Sequence, residues 1–203
     1  MNAKETPTAP EPGLRERKKL RTLRTIRREA YRLFAAQGYE ATTVDQIADA
    51  AEVSPSTFFR YFPTKEDVVL DDEYDPALVE ALRSRPPGEP IIESIRHALT
   101  DSLGRLLAAD HDELLLRTRL GFTDPAIRAR SWDELQRSQD VVAAVISERT
   151  GRDPEDLDVH CAAAALIAVS TAVVRHWVQR DGKVDLIALY DRQFALLAEG
   201  LRF

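Results

Sequence analysis

Side chains that can bind phosphates and base edges are concentrated in one short segment, PSTFFRY at residues 55–61. If this segment is a helix, Ser56 and Arg60 share one face, because residues four apart are neighbours around a helix. Hydroxyl and guanidinium groups donate hydrogen bonds to phosphates and bases, and apolar groups contact thymine methyls. The flanks of that face would carry Thr57, Phe59 and Tyr61. The pattern predicts a helix that enters the major groove of DNA; the alternative is a helical hairpin that only packs in a bundle.

The residues around this segment predict where its helix begins and what it packs against. Ser54 is a favourable N-cap, and Pro55 suits the first helical turn, where a missing N–H costs nothing. Phe58 and Phe62 point away from Ser56, at about 100° per residue. We therefore expect both phenylalanines to pack against the preceding helix.

That preceding helix is predicted to begin after Thr43. Thr43 and Gln46 have the spacing of a capping box, in which two side chains satisfy backbone N–H groups at a helix start. Val44, Ile47, Ala48 and Ala51 then form its apolar face. A tight turn through Glu52 and Val53 completes a helix-turn-helix arrangement.

A longer helix is predicted from Arg15 to Gln37, ended by Gly38. Its apolar stripe consists of Leu23, Ile26, Ala30, Leu33 and Phe34, and its opposite face carries Arg17, Arg21, Arg24, Arg28 and Arg32. This basic face is either an ordinary solvated surface or a surface that contacts DNA phosphates. The charge distribution favours contact with DNA, because residues 1–65 carry a net charge of +4 while the whole chain carries −6.

The sequence TTVDQIADAAEVSPSTFFRYFPTKEDVV resembles the helix-turn-helix of the TetR family of bacterial transcriptional regulators. The resemblance implies a three-helix, homeodomain-like DNA-binding head. The DNA-contacting residues that we expect are Arg28, Thr43, Ser54, Pro55, Ser56, Thr57, Phe59, Arg60, Tyr61 and Lys65. Two positions depart from the family pattern: Glu52 stands where glycine is usual, and Phe59 stands where tyrosine is usual.

Residues that typically begin or end helices recur to the end of the chain. No segment shows the alternation of apolar and polar residues that is typical of a β-strand. Thr64 can cap a fourth helix that reaches about Tyr74, and Asp75-Pro76 either kinks it or starts another. After the break at residues 85–90, we expect helices at residues 91–109, 112–122, 125–150, 157–180 and 185–201. The predicted fold class is all α. Its predicted divisions are a disordered tail at 1–13, a DNA-binding head at 14–64, and a ligand-binding and dimerisation body at 65–203.

The last two predicted helices carry more apolar surface than one chain would bury. The sequence CAAAALIAVSTAVV is apolar on all sides, and the final helix has a broad apolar stripe. A four-helix interface between two copies would cover both, and TetR-like proteins are usually homodimers through these helices. The expected interface residues are Ala168, Leu186, Leu189, Phe194 and Leu197.

The middle of the body could supply a ligand pocket with apolar walls and a cationic anchor. The expected lining residues are Leu103, Leu107, Arg117, Phe122 and Trp132, although ordinary core packing would explain each of them singly. The sequence LLLRTRLGFTDPAIRAR is similar to a TetR subgroup typified by the mycofactocin regulator. That similarity suggests a long-chain acyl-CoA as the effector.

No catalytic or metal motif is recognisable. There is no Walker loop, GxGxxG, HExxH or GxSxG sequence, and the single cysteine, Cys161, lies in an alanine-rich helix that suits a core thiol. We therefore expect no catalytic residue, no metal and no cofactor. The absence of 18 uninterrupted apolar residues predicts no membrane span, and the single cysteine suits the reducing cytoplasm.

These observations favour a cytoplasmic, homodimeric regulator that binds a pseudo-palindromic operator in double-stranded DNA, as a repressor released by a small-molecule effector. The alternative is a helical carrier or enzyme whose helix-turn-helix is only structural. That alternative lacks a nucleophile and base, and the basic face of the first helix distinguishes the two hypotheses.

Overall fold

The computed structural model describes residues 13–70 and 75–202, and all the regular secondary structure of this part is helical. The predicted N-terminal tail and the predicted end of the fourth helix at Tyr74 lie outside the described residues, except for Gly13. The helices are α1 (Leu14–Gln37), α2 (Val44–Ala50), α3 (Pro55–Tyr61), α4 (Asp67–Leu70), α5 (Asp75–Arg83), α6 (Ile91–Thr123), α7 (Pro125–Thr150), α8 (Leu157–Gln179) and α9 (Leu186–Ala198). The all-α prediction is confirmed.

The chain divides between Val68 and Val69 into two compact units, here called the head and the body. The sequence-based boundary lay a few residues earlier, between Thr64 and Lys65. It fell at the cap of α4, where Thr64 and Asp67 exchange backbone-to-side-chain hydrogen bonds.

The head is held together by the apolar faces predicted for its first three helices. Ile26, Ile47, Phe58 and Phe62 have no exposed surface, and Phe34 is nearly as well buried. Burying a side chain of this size contributes about 1.5–3 kcal/mol relative to leaving it exposed. The packing fixes the orientation of α3, and so determines which of its side chains remain at the surface.

The body has a separate apolar core formed by α5 to α9. Trp177 and Phe194 are its largest fully buried side chains. Within α6, Asp110 has non-helical backbone angles, and its side chain caps the next turn by accepting from the N–H of Glu113 at 2.9 Å. The helix is therefore broken between the two segments that the sequence predicted as separate helices.

The turn between α5 and α6 is tied to α7 by Arg149. Its guanidinium group donates to the carbonyl oxygens of Leu82, Arg85 and Pro86 and to the hydroxyl group of Ser94, at 3.0–3.1 Å. Two of these carbonyl groups, those of Leu82 and Pro86, also accept from backbone N–H groups of the turn, so Arg149 adds further hydrogen bonds there. They hold the segment that connects α5 and α6 against α7.

Helix α8 is long and apolar enough to cross a membrane, with a mean hydropathy of 1.9 over its most apolar window. The core helix of a soluble protein can be equally long and apolar. Ala163, Val173 and Trp177 of α8 are buried in the body core. Only 22% of that window is buried within one chain. Much of the helix therefore remains at the surface of the single chain.

Candidate DNA-binding surface and ligand cavity

The two helices of the helix-turn-helix begin as the sequence predicted. The Thr43 hydroxyl group accepts from the N–H of Gln46 at 3.2 Å, and the Gln46 side chain accepts from the N–H of Thr43 at 3.0 Å. The Ser54 hydroxyl group accepts from the N–H of Thr57 at 3.1 Å, and Pro55 occupies the first turn of α3. Both caps stabilise short helices that would be only marginally stable in isolation.

The turn between α2 and α3 places Glu52 in the left-handed region, with φ of 55°. This is the position where the family pattern has glycine, and a side chain there costs about 1–2 kcal/mol. The N–H of Val53 still donates to the carbonyl oxygen of Ala48 at 2.9 Å. The turn therefore forms with a strained glutamate in place of glycine.

Helix α3 presents a polar and aromatic surface opposite its buried phenylalanines. Ser56 and Arg60 are exposed, and the ring of Phe59 is 50% exposed. The hydroxyl groups of Ser56 and Thr57 each lie 2.9 Å from that of Ser54. Three hydroxyl groups therefore cluster at the N-terminus of α3, where backbone N–H groups also favour an anion.

Arg60 and Tyr61 lie together at the other end of α3. The Arg60 guanidinium carbon is 5.4 Å from the centroid of the Tyr61 ring. Both residues line an open cleft of about 760 Å³, together with Arg15, Lys18, Lys19 and Thr22 of α1. The C-terminal end of α3 and the beginning of α1 thus form one strongly basic surface.

Lys65 is anchored inside the head. Its ammonium group donates to the carbonyl oxygens of Tyr39 and Thr42 at 2.9 and 3.1 Å. Two of its three N–H groups are thus used within the head, which leaves one for a phosphate. A phosphate contact by Lys65 stays a prediction, beside a structural role that the sequence did not indicate.

Arg28 pairs with a neighbour on α1. Its guanidinium group lies 2.9 Å from the carboxylate of Glu29, which also binds Arg32 at 2.7 Å. Hydrogen bonds from Arg32 and Arg28 lower the pKa of Glu29, so this carboxylate stays charged and partly neutralises the predicted basic face. The role of Arg28 in phosphate contact remains a prediction.

The body contains a cavity of about 560 Å³ whose walls include residues of α6, α7, α8 and α9. This volume lies in the range of small-molecule sites. Of the residues predicted from sequence, Leu103, Arg117 and Phe122 line it. The other lining residues include Leu106, Leu114, Gly121, Arg128, Leu135, Ser138, Ile167, Ser170, Val174, Trp177 and Tyr190.

Two of the predicted pocket residues lie elsewhere. Trp132 is 69% exposed and is not part of the cavity wall, because it lies on the outer face of α7. Leu107 packs against the body core and is likewise absent from the wall. They were predicted because they are close in sequence to residues of the cavity wall. The orientation of each helix about its axis keeps their side chains out of that wall.

The polar groups of the cavity wall are distributed over several helices. The Nε of Arg117 donates to the carbonyl oxygen of Val69 at 3.3 Å, which holds the guanidinium group at the wall. Tyr190 lies on α9, and burial raises the pKa of its phenol group, so it stays a neutral hydrogen-bonding group. Sequence reasoning missed Tyr190 and Trp177, because apolar stripes do not distinguish a cavity wall from packed core.

The predicted dimer interface needs a correction. Leu186 and Phe194 are buried within one chain, at 3% and 0% exposure, so their side chains are not available to a partner. Their helix packs its apolar stripe into the core of its own subunit. Ala168 is exposed, whereas Leu189 and Leu197 are partly exposed and also pack against that core. These three remain predictions for the interface.

Within residues 13–70 and 75–202, no group of three or more His, Cys, Asp or Glu side chains could hold a metal ion. Cys161 is exposed on α8, so its predicted role as a core thiol is wrong. Ala165 and Ala168, further along the same face of α8, are exposed as well, so this face is uncovered in one chain.

Comparison with known families gives a match for each part of the chain. Residues 26–71 match the family described as "Bacterial regulatory proteins, tetR family". Residues 89–202 match the one described as "MftR C-terminal domain". The two matches cover the head from Ile26 onward and most of the body.

A curated relative covers most of the chain. The HTH-type transcriptional regulator TcmR of Streptomyces glaucescens is 39% identical over 189 residues, which are 88% of this chain and 82% of that protein. Its match includes both the helix-turn-helix and the body.

Two solved structures share the fold. The fatty acid degradation regulator FadR of Bacillus halodurans is 27% identical with a TM-score of 0.64, over 95% of this chain and 99% of that chain. The transcriptional repressor FadR of Thermus thermophilus, solved in complex with lauroyl-CoA, is 28% identical with a TM-score of 0.60, over 89% of this chain and 95% of that chain.

Proposed function

This chain belongs to the TetR family of bacterial transcriptional regulators, and we propose that it is a cytoplasmic, homodimeric repressor that a fatty acyl-CoA releases from its operator. It is a DNA-binding regulator, as its relatives are. The proposal adds the sign of regulation, the class of effector and the homodimer.

The body cavity is the observation that carries the choice of effector. Leu103, Leu106 and Phe122 give it apolar walls that suit an alkyl chain, and Arg117 supplies a cation for an acidic group. The Thermus thermophilus repressor is named as a complex with lauroyl-CoA, which supports the same class of ligand.

On the DNA side, we place the exposed side chains of α3 in the major groove. Ser56, Thr57 and Arg60 would lie nearest the bases, while Thr43 and Tyr61 would bind phosphates. Two heads of a homodimer would contact half-sites about one DNA turn, or roughly 35 Å, apart. An effector that binds better to the state that does not bind DNA shifts the population away from the operator.

Ligand binding to the purified protein tests the effector class directly. Lauroyl-CoA, lauric acid and coenzyme A are added separately, and the melting temperature is measured for each. A ligand that binds only the folded state raises the melting temperature as its concentration exceeds the dissociation constant. We expect a rise with lauroyl-CoA and release of the DNA at the same concentrations.

Two glycines of α6 provide a matched pair of variants. A Cβ at Gly121 or at Gly104 would meet no atom within 4 Å, but only Gly121 lines the cavity. Gly121→Leu should therefore fill the cavity and abolish the rise, while Gly104→Leu, with the same change in helix propensity, should keep it.

The changes in melting temperature with the three ligands distinguish the possible effectors. A rise with lauric acid alone would move the proposal from an acyl-CoA to a free fatty acid. No rise with any of the three, from a protein that still binds DNA, would overturn the effector class and leave the DNA-binding function in place.

A further inference from the structure

The basic cleft of the head joins two helices that sequence reasoning treated separately. Arg15, Lys18 and Lys19 of α1 line it together with Arg60 and Tyr61 of α3. Its volume is about 760 Å³, and it is open to solvent. Four cationic side chains around one cleft form a site for a polyanion.

Arg15 and Lys19 lie on the face of α1 that continues its buried stripe, and Lys18 lies at the edge of that face. At about 100° per residue, Lys19 follows the line of Ile26 and Ala30, and Lys18 follows the line of Thr22. Arg24 and Arg32 lie about 140° away from Lys19 around the same helix. In the first turns of α1, the side of the helix that is buried further along is therefore exposed to solvent. It faces the C-terminal end of α3 across the cleft.

The two faces of α1 also differ in how their charges are used. Among the described residues, no carboxylate pairs with Arg15, Lys18, Lys19 or Arg60, and all four are exposed. On the other face, Arg28 and Arg32 share the carboxylate of Glu29. A cation that pairs with no carboxylate of its own chain keeps its full charge for an external anion, and it releases a counterion when a phosphate replaces that counterion.

We infer that Arg15, Lys18 and Lys19 hold the DNA backbone next to the recognition helix, and that Arg24 and Arg32 on the opposite face do not. This assignment rests on the proposed DNA-binding function and names the residues that anchor the helix in the groove. Tyr61, whose ring centroid lies 5.4 Å from the Arg60 guanidinium carbon, lines the cleft on the α3 side. A DNA backbone segment seated there would lie between the two helices.

The test compares two double variants that remove the same charge. Lys18→Gln with Lys19→Gln changes the cleft, and Arg24→Gln with Arg32→Gln changes the opposite face. Each protein is titrated with a duplex of random sequence across a potassium chloride series. The slope of log affinity against log salt counts the phosphates that are neutralised.

We expect the cleft variant to lose up to about two units of slope, one for each lysine. The opposite-face variant should keep the wild-type slope. Lys18→Arg with Lys19→Arg keeps both charges and should restore the slope, which shows that the effect comes from charge and not from folding. Circular dichroism checks that each variant remains helical.

An unchanged slope in the cleft variant, or a larger loss in the opposite-face variant, would overturn the inference. Failure of the wild-type protein to bind any duplex at low salt would instead contradict the DNA-binding function itself. The two failures are therefore distinguishable in one experiment.

Discussion

The ammonium group of Lys65 lies 4.0 Å from the centroid of the Tyr39 ring and 2.9 Å from the carbonyl oxygen of the same residue. The same group also binds the carbonyl oxygen of Thr42, just before the cap of α2. One lysine therefore holds the connection between α1 and α2 while it keeps one N–H for an external partner.

Lys65→Gln should lower the free energy of unfolding by about 1–2 kcal/mol, because hydrogen bonds from a charged donor are lost. It should also reduce the salt dependence of DNA binding by up to about one unit, if the remaining N–H meets a phosphate. Urea unfolding and salt titration measure the two effects. Unchanged stability would contradict the structural role, and an unchanged slope would remove Lys65 from the DNA interface.

Glu52→Gly should stabilise the protein by about 1 kcal/mol. The residue has φ of 55°, and glycine avoids most of the steric cost of that conformation. Glu52→Gln removes the charge but keeps the side chain, so it should give no comparable gain. The free energy of unfolding in urea checks both variants, and equal gains would mean that charge and not backbone strain is responsible.

Phe59→Tyr should tighten DNA binding by about 1 kcal/mol on any duplex, because it adds a donor for a charged acceptor to a ring that is 50% exposed. Preferred and scrambled duplexes are titrated at one salt concentration. Weaker binding confined to the preferred site would instead place the ring against a thymine methyl. No change on either duplex would show that α3 is rotated away from our placement.

The exposed face of α8 should form the interface of the proposed dimer, since much of this helix is uncovered in one chain. Ala168→Glu with Ala172→Glu should yield monomers, because association would bury the new charges. Ala108→Glu with Ala109→Glu adds the same charges to exposed positions of α6 and should leave the dimer intact. Sedimentation distinguishes these outcomes, and an intact dimer in the α8 variant would place the interface elsewhere.

Local patterns in the sequence were sufficient to predict most of the helices. The capping box of Thr43 and Gln46 follows from chemistry within four residues, and Gly151 ends α7 in the left-handed conformation that favours glycine. Such features depend on neighbours in the chain. They can be recognised without knowing the tertiary structure.

The predictions that were wrong or incomplete concern side chains whose burial and contacts depend on tertiary packing. Phe194 belongs to an apolar stripe, but periodicity does not say whether its own subunit or a partner buries it. Trp132 faces solvent because of the rotation of α7, and Lys65 binds carbonyl groups whose position depends on the packing of α1 against α2. These are consequences of tertiary packing, which sequence spacing alone does not determine.

Selection of bound fragments from a random DNA pool tests the central claim most directly. If two copies of the head each place α3 in the major groove, the recovered fragments should share a pseudo-palindrome whose half-sites are about one DNA turn apart. Ser56→Ala and Thr57→Ala should change the preferred bases within each half-site and leave their spacing unchanged. Recovery of no common sequence, or of a site without two-fold symmetry, would contradict a homodimeric regulator that recognises DNA through α3.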